Sequence, residues 1–333
     1  MNEKSNYHCI YFDQKSAFDR VDHKLLLSKM YALGVHDQTV KWCKDYLTNR
    51  SMRVKVDNDF SSPVPVKSGV PQGGCASPLL YAIFILDISR YLPTNVKYLE
   101  YADDLKIYRD VNSPEAHRSM QSAVDGVARW CEENGMLLST SKCVVLKNGN
   151  EEYEYYINNM TLPSCDITRD LGVQMTANLD FCHHITQLCK SASVTVNSIF
   201  RCFVIKEPDV YIRLYKSIVL SKLLYCSPVW FPHLKKHKKL LENVQSLFLR
   251  RLRWRCGSQT CDVDLPSIEA LMVRQDDRIL CTLKNADLFS HFFDVQPNHL
   301  RSQCTITTKC IARSEHLNNV FAWRTIKRSH HDS

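Results

Sequence analysis

No stretch of the sequence reaches the roughly 20 consecutive apolar residues that a membrane-spanning helix needs. Met1 to Asn6 is polar and lacks the apolar run of a secretory signal. The expectation is a nuclear or cytoplasmic chain, not secreted and with no membrane partner. Glycine is scarce, nine in 333 residues, and there is no low-complexity run and no internal repeat, which excludes fibrous and solenoid architectures. The fifteen cysteines include no CxxC pair, and their odd number argues against a complete disulfide framework, so they read as reduced thiols. Cys182-His183-His184 with Cys189 lacks a convincing second pair of zinc ligands and reads as structural.

What is present is a chain of 38.6 kDa, 44% hydrophobic and 23% charged, large enough for two domains with substantial cores. The net charge of +8 is unevenly spread. Arg201 to Arg255 holds thirteen Lys or Arg against three Asp or Glu, a local +10, leaving the remainder near −2. Such a concentration is the footprint of a phosphate-backbone binder, with a solvated helix face as the alternative.

The sequence is organised around Tyr101-Ala102-Asp103-Asp104. Its flanks, Val96 to Glu100 and Leu105 to Tyr108, are rich in β-branched and aromatic residues, which predicts two strands joined by a tight hairpin carrying Asp103. Adjacent carboxylates repel unless a cation offsets them, and a hard divalent ion with oxygen ligands is the usual solution. Taken alone, an Asp-Asp turn is ordinary turn chemistry. A third carboxylate, Asp13, ends the predicted strand Tyr7 to Phe12, just before a helix, where sheet-based enzymes bind ligands.

After Asp13, the apolar residues Phe18, Val21, Leu25, Met30 and Leu33 predict one helix capped by Ser16 and ended by Gly34. Asp19 is expected to make a structural contact and Asp22 to face solvent. A second helix is expected over about Asp37 to Asn49. Arg50 to Val56 alternates as a half-exposed strand, with Met52, Val54 and Val56 on one face. Lys67 to Pro78 contains Gly69, Gly73 and Gly74, which permit close backbone approach to a ligand, and Gln72, which offers a donor and an acceptor. A plain turn before the apolar helix Leu79 to Ile88 is an equal reading of that segment.

Tyr11-Phe12-Asp13-Gln14-Lys15-Ser16-Ala17-Phe18-Asp19-Arg20-Val21-Asp22-His23, then Ser68-Gly69-Val70-Pro71-Gln72-Gly73, then Tyr101-Ala102-Asp103-Asp104 resemble, in order and spacing, motifs A, B and C of reverse transcriptases. The likeness is to jockey-like non-LTR retrotransposons, and it extends to about Arg253. Arg129 to Gly135 followed by Ser141-Lys142-Cys143 is similar to motif D, and Leu171-Gly172-Val173 resembles the small sheet that abuts the primer. The helices from Leu214 to Gln245 resemble the thumb.

The resemblance implies an α+β chain: the palm of a right-hand polymerase, an antiparallel sheet with packed helices, over residues 1–150. A connecting, primer-grip-like region at 151–185, a basic helical thumb at 186–255 and a C-terminal region of unassigned role at 256–333 would follow. The implied activity is RNA-directed DNA synthesis from dNTPs on an RNA template and DNA primer. Asp13, Asp103 and Asp104 would hold two Mg2+ ions about 3.5 to 4 Å apart, with Mn2+ as an alternative. Ala17, Phe18, Gln72 and Gly73 would form the nucleotide pocket, Phe18 excluding a ribose 2′-hydroxyl. That exclusion speaks against a ribonucleotide polymerase on the same palm. Lys142 would protonate the leaving pyrophosphate. Lys235, Lys236, Lys238, Lys239, Arg250, Arg251 and Arg253, on two basic helices, would follow the nucleic-acid backbone. Gly74 to Pro78 departs from the usual motif B ending. The family's fingers precede motif A, whereas only twelve residues precede Asp13, so the sequence resembles an N-terminally truncated element. The alternative expectation is an inactive nucleic-acid-binding remnant.

Overall fold

The protein, seen in a computed structural model, is described over residues 6–149, 153–257, 263–285, 293–297 and 304–308. It divides into two compact units, with the main boundary between Leu171 and Gly172 and with Thr176–Asn178 grouped back with the first unit. The boundary expected at residue 150 lies outside the described residues, as does most of the C-terminal region.

The first unit is built on a five-stranded sheet. Its strands are β1 (Tyr7–Phe12), β2 (Lys97–Tyr101), β3 (Asp104–Asp110), β4 (Val144–Lys147) and β5 (Ser164–Cys165), in the spatial order β5-β4-β1-β3-β2. Four strands pair antiparallel, but β5 runs parallel to β4, so the sheet is mixed and not purely antiparallel as expected. Side chains alternate across the pleat. Ile10, Phe12, Leu105, Ile107 and Val145 point into the core, while Cys9, Tyr11, Lys106 and Tyr108 lie half-buried on the opposite face.

The core is closed by α1 (His23–Ala32), α2 (Asp37–Leu47), α3 (Ser77–Ile85) and α4 (Pro114–Glu133). α4 begins where Ser113 accepts a hydrogen bond from the Ala116 amide and Pro114 occupies the first turn. Met120, Val124, Val127, Trp130 and Cys131 are buried at helical spacing. Lys29 of α1 ties the layer together, donating to the Phe84 carbonyl and to Asp87, whose carboxylate also accepts from Trp130 Nε1.

Three local expectations are corrected. Ser16 sits in the left-handed region and caps nothing; Ala17–Arg20 is a single turn, and Asp22 caps a separate α1 through the Leu25 amide at 2.8 Å. Arg50 to Val56 is two exposed hairpins, Ser51–Met52 with Val64–Pro65 and Lys55–Val56 with Asp59–Phe60, and Met52, Val54 and Val56 bury no face. The apolar helix ends at Ile85 and continues to Tyr91 as a 3-10 helix.

His8, on the core face of β1, is fully buried. Its Nδ1 meets the Tyr155 hydroxyl at 2.8 Å, while Nε2 has no partner. Burial first, then the charges of Lys147 and His117, lowers its pKa to about 4. The folded state thus favours neutral His8, and the unfolded chain binds the proton near pH 6.5. Its stabilisation is full above pH 6.5 and is lost as pH falls toward 4, by at most about 3 kcal/mol. Denaturant titrations at pH 7 and pH 4.5 should show that loss, and His8→Gln should flatten it.

The second unit packs α5 (Cys182–Cys202), α6 (Lys235–Cys256) and α7 (Ile268–Asn285) with the segment Pro208–Leu224. The middle of that segment, Tyr215–Leu220, is π-helical. The core is aromatic: Phe200 stacks on Tyr211 and Tyr215 on Phe248. Among the described residues, no helix is long and apolar enough to cross a membrane.

Candidate active site

Register places two carboxylates side by side. Phe12 pairs with Leu105 across β1 and β3; Asp13 follows β1 by one residue and Asp104 opens β3 one residue before Leu105, so both carboxylates lie at the same end of the sheet and line one cavity. Tyr101 pairs with Asp104, leaving Ala102 and Asp103 as a two-residue hairpin loop. Ala102 has φ 54, the left-handed backbone such short loops demand at their first position. Asp103 is thereby held at the tip of the same sheet edge.

The Asp104 carboxyl is pushed above the usual carboxylate range. Desolvation is the largest cause, followed by the charges of Asp103, Asp170 and Asp13, with Lys106 pulling the other way. Neighbouring carboxylates that repel one another attract a cation, and an oxygen-only donor set suits a hard one. Among the described residues, no three His, Cys, Asp or Glu side chains are gathered into a ready-made cage.

Motif D is brought to this edge by backbone pairing. Lys15 N donates to the Leu137 carbonyl, Ser139 N donates to the Asp13 carbonyl, and Gln14 bridges Leu138. Lys142 then stands with Nζ 3.8 Å from Asp13 Oδ2 and remains 71% exposed, so its ammonium is available to a ligand.

Motif B is stitched to motif A. Val70 N donates to the Phe18 carbonyl and Gly69 N to the Val21 carbonyl, while Ser68 Oγ donates to the Asp19 carbonyl. Gln72 Nε2 donates to Asp19 Oδ1 at 2.9 Å, the structural contact expected of Asp19. Gly69 has φ 86, and a Cβ there would lie 2.7 Å from the Asp19 Cα. The groove between Arg50, Asp19 and Gln72 has a volume of about 400 Å³. Gly73, with φ 80, has nothing within 4 Å of its Cβ position. Phe18 stacks on Tyr81 with ring centroids 4.7 Å apart, and Tyr81 donates to Gln14 Oε1. Ala17 is 2% exposed, its side chain packed beneath the surface next to Phe18.

One group escaped the sequence reading. A cavity of about 300 Å³ beside Asp13 and Asp104 is walled by Tyr11, Lys106, Lys142 and Asp170. Lys106 forms an ion pair with Asp170, which also accepts from the Tyr11 hydroxyl at 3.4 Å. The available signal was Lys106 two residues after Asp104, on the same strand face.

In the second unit the two basic clusters share one 22-residue helix, α6. Lys235, Lys239, Arg250 and Arg253 fall on one exposed stripe at helical spacing, roughly 27 Å long, flanked by Lys236. Arg251 is exposed farther round the helix. Lys238 does not stand free as expected: it pairs with Glu269 at 2.6 Å. Trp254, 78% exposed, lies at the end of the stripe.

A family model described as reverse transcriptase (RNA-dependent DNA polymerase) matches residues 1–174. The chain is similar to the RNA-directed DNA polymerase from mobile element jockey of Drosophila melanogaster, 27% identical over 255 residues that cover 73% of this chain and 28% of that protein. It is also similar to the probable RNA-directed DNA polymerase from transposon BS of the same fly, 29% identical over 202 residues, 55% of this chain and 22% of that one. It spans less than a third of the length of these relatives. Among solved structures, apo telomerase from Candida Tropicalis superposes with a TM-score of 0.43 at 12% identity, over 83% of this chain and 51% of that one, too loosely to support an argument.

Proposed function

The chain belongs to the reverse transcriptase (RNA-dependent DNA polymerase) family, in its non-LTR retrotransposon branch, and we propose that it joins dNTPs to a primer 3′-hydroxyl under the direction of an RNA template. The observation that carries this reading is the meeting of Asp13 and Asp104 at one end of the sheet, on one cavity, with Asp103 at the adjoining hairpin tip. Asp13 and Asp103, with Asp104 beside them, would hold Mg2+, which when bound lowers the pKa of the attacking hydroxyl and offsets the triphosphate charge.

The protein's own groups do the rest by position and charge. Lys142, next to Asp13, is placed to give a proton to the departing pyrophosphate. Gln72, fixed by Asp19, and Gly73, with open space at its Cβ position, offer a polar edge and close backbone approach to the nucleotide. In this reading the first unit is a palm and the second a thumb. The exposed cations of α6 meet backbone phosphates, which positions a duplex without reading its sequence.

Phe18, locked by its stack on Tyr81, is the sugar selector. RNA-templated primer extension with dNTPs and, separately, with NTPs tests the reading. Wild type should accept dNTPs, and Phe18→Val should raise the relative use of NTPs by about 10- to 100-fold, the range a steric pocket commands. Equal use of both nucleotides by wild type would contradict the assignment.

A further inference from the structure

We propose that Asp170 is a positioning residue for the metal-facing carboxylates: by holding the Lys106 ammonium, it keeps that cation off Asp104. The proposal rests on the reading of Asp13, Asp103 and Asp104 as the metal-holding group.

The rungs of the sheet supply the geometry. On one face, Tyr11 stands opposite Lys106 and Cys9 opposite Tyr108, and Asp13 and Asp104 lie two residues beyond Tyr11 and two before Lys106 at the end of the same strands. Asp104 and Lys106, two apart on one strand, project to the same side, which puts an ammonium on a flexible stem within reach of the carboxylate. Left to itself, a lysine there would pair with Asp104 and occupy the position a divalent ion needs. Asp170 is what holds it away. Its side chain is only 14% exposed, and the Lys106 side chain, whose ammonium lies against it, is 22% exposed. The Tyr11 hydroxyl donates to the same carboxylate oxygen, and the Lys106 ammonium lies 5.8 Å from the centre of the Tyr11 ring. The three groups line the cavity that also opens onto Asp13, Asp104 and Lys142. A half-buried ion pair with a second donor holds far better than an exposed one. Asp170 therefore fixes where the nearest cation on the strand resides.

Mn2+ binding to the full chain, followed by the loss of the free-ion paramagnetic resonance signal, tests this without reading activity. Wild type should bind, and Asp13→Asn should abolish that binding. Asp170→Asn should weaken it about tenfold, the scale on which groups behind a metal ligand act. Tyr11→Phe should weaken it less, about twofold, by loosening Asp170. Lys106→Met in the Asp170→Asn background should restore wild-type affinity, and because that double variant lacks both charges of the pair it stays informative if Asp170→Asn folds poorly. Glu100→Gln removes a carboxylate from the same cavity wall without touching Lys106, and should change affinity less than twofold. Equal losses in Asp170→Asn and Glu100→Gln, or no restoration by Lys106→Met, would overturn the proposal and leave the metal site standing. No binding by wild type, or binding indifferent to Asp13→Asn, would overturn both.

Discussion

Asp103→Ala should reduce RNA-templated dNMP incorporation by about a thousandfold or more, because several kcal/mol of charge stabilisation at the reacting phosphate depend on the ion this carboxylate would hold. Asp103 is exposed at a hairpin tip and supports no packing, so the melting profile should match wild type. Template-primer affinity, attributed to the cations of α6, should also be unchanged. This pattern of lost turnover with preserved folding and binding separates a chemical role from a structural one. Asp13→Asn should behave alike in turnover. A variant that lost binding and turnover together would place Asp103 in substrate attachment instead.

Gly69→Ala carries the largest expected effect on stability, a loss of roughly 2 to 4 kcal/mol read by denaturant unfolding. Its φ of 86 disfavours any side chain, and the added methyl would meet the Asp19 backbone at 2.7 to 2.9 Å, where neither side can yield cheaply. The Gly69 carbonyl accepts from His23 Nε2 at 2.9 Å and from Arg50 Nη2 at 2.8 Å, so displacement at Gly69 breaks a junction of three segments. The same displacement carries Gln72 away from Asp19, and the KM for dNTP should rise. Gly34→Ala serves as the comparison: φ is 76 but nothing lies within 4 Å, so only the local backbone cost of about 1 to 2 kcal/mol applies.

The parts of this architecture written locally were legible. The hairpin around Asp103 follows from β-branched and aromatic flanks with a two-residue connection, and Asp13 follows from an apolar run ending in an acid. Asn158 and Asn159 mark a turn that the structure forms, both at positive φ, between Tyr156–Ile157 and Met160–Thr161. Gly34 closes its helix as read. Other features depend on partners far along the chain. The helical spacing of Phe18, Val21 and Leu25 runs straight through the break at Val21, because the break is imposed by Gly69 and Val70 docking on the backbone of that turn. Arg50 to Val56 carries a strand pattern with no sheet to receive it. Lys238 looked like a free cation because Glu269 lies 31 residues away. Asp170 was invisible as a site residue for the same reason, standing 64 residues from Lys106 and 159 from Tyr11. Periodicity finds which face is buried; it does not find which charge sits beside which.

If Asp13 and Asp104 at the sheet end and Asp103 at the hairpin tip form a working centre for RNA-directed DNA synthesis, single-nucleotide extension reads it out. A DNA primer annealed to an RNA template, incubated with the complementary dNTP and Mg2+, should lengthen by one nucleotide with the wild-type chain, and should not do so with Asp103→Ala or when the divalent ion is chelated. A primer left unextended by wild-type protein that binds the same duplex, or an extension that survives Asp103→Ala, would rule that centre out.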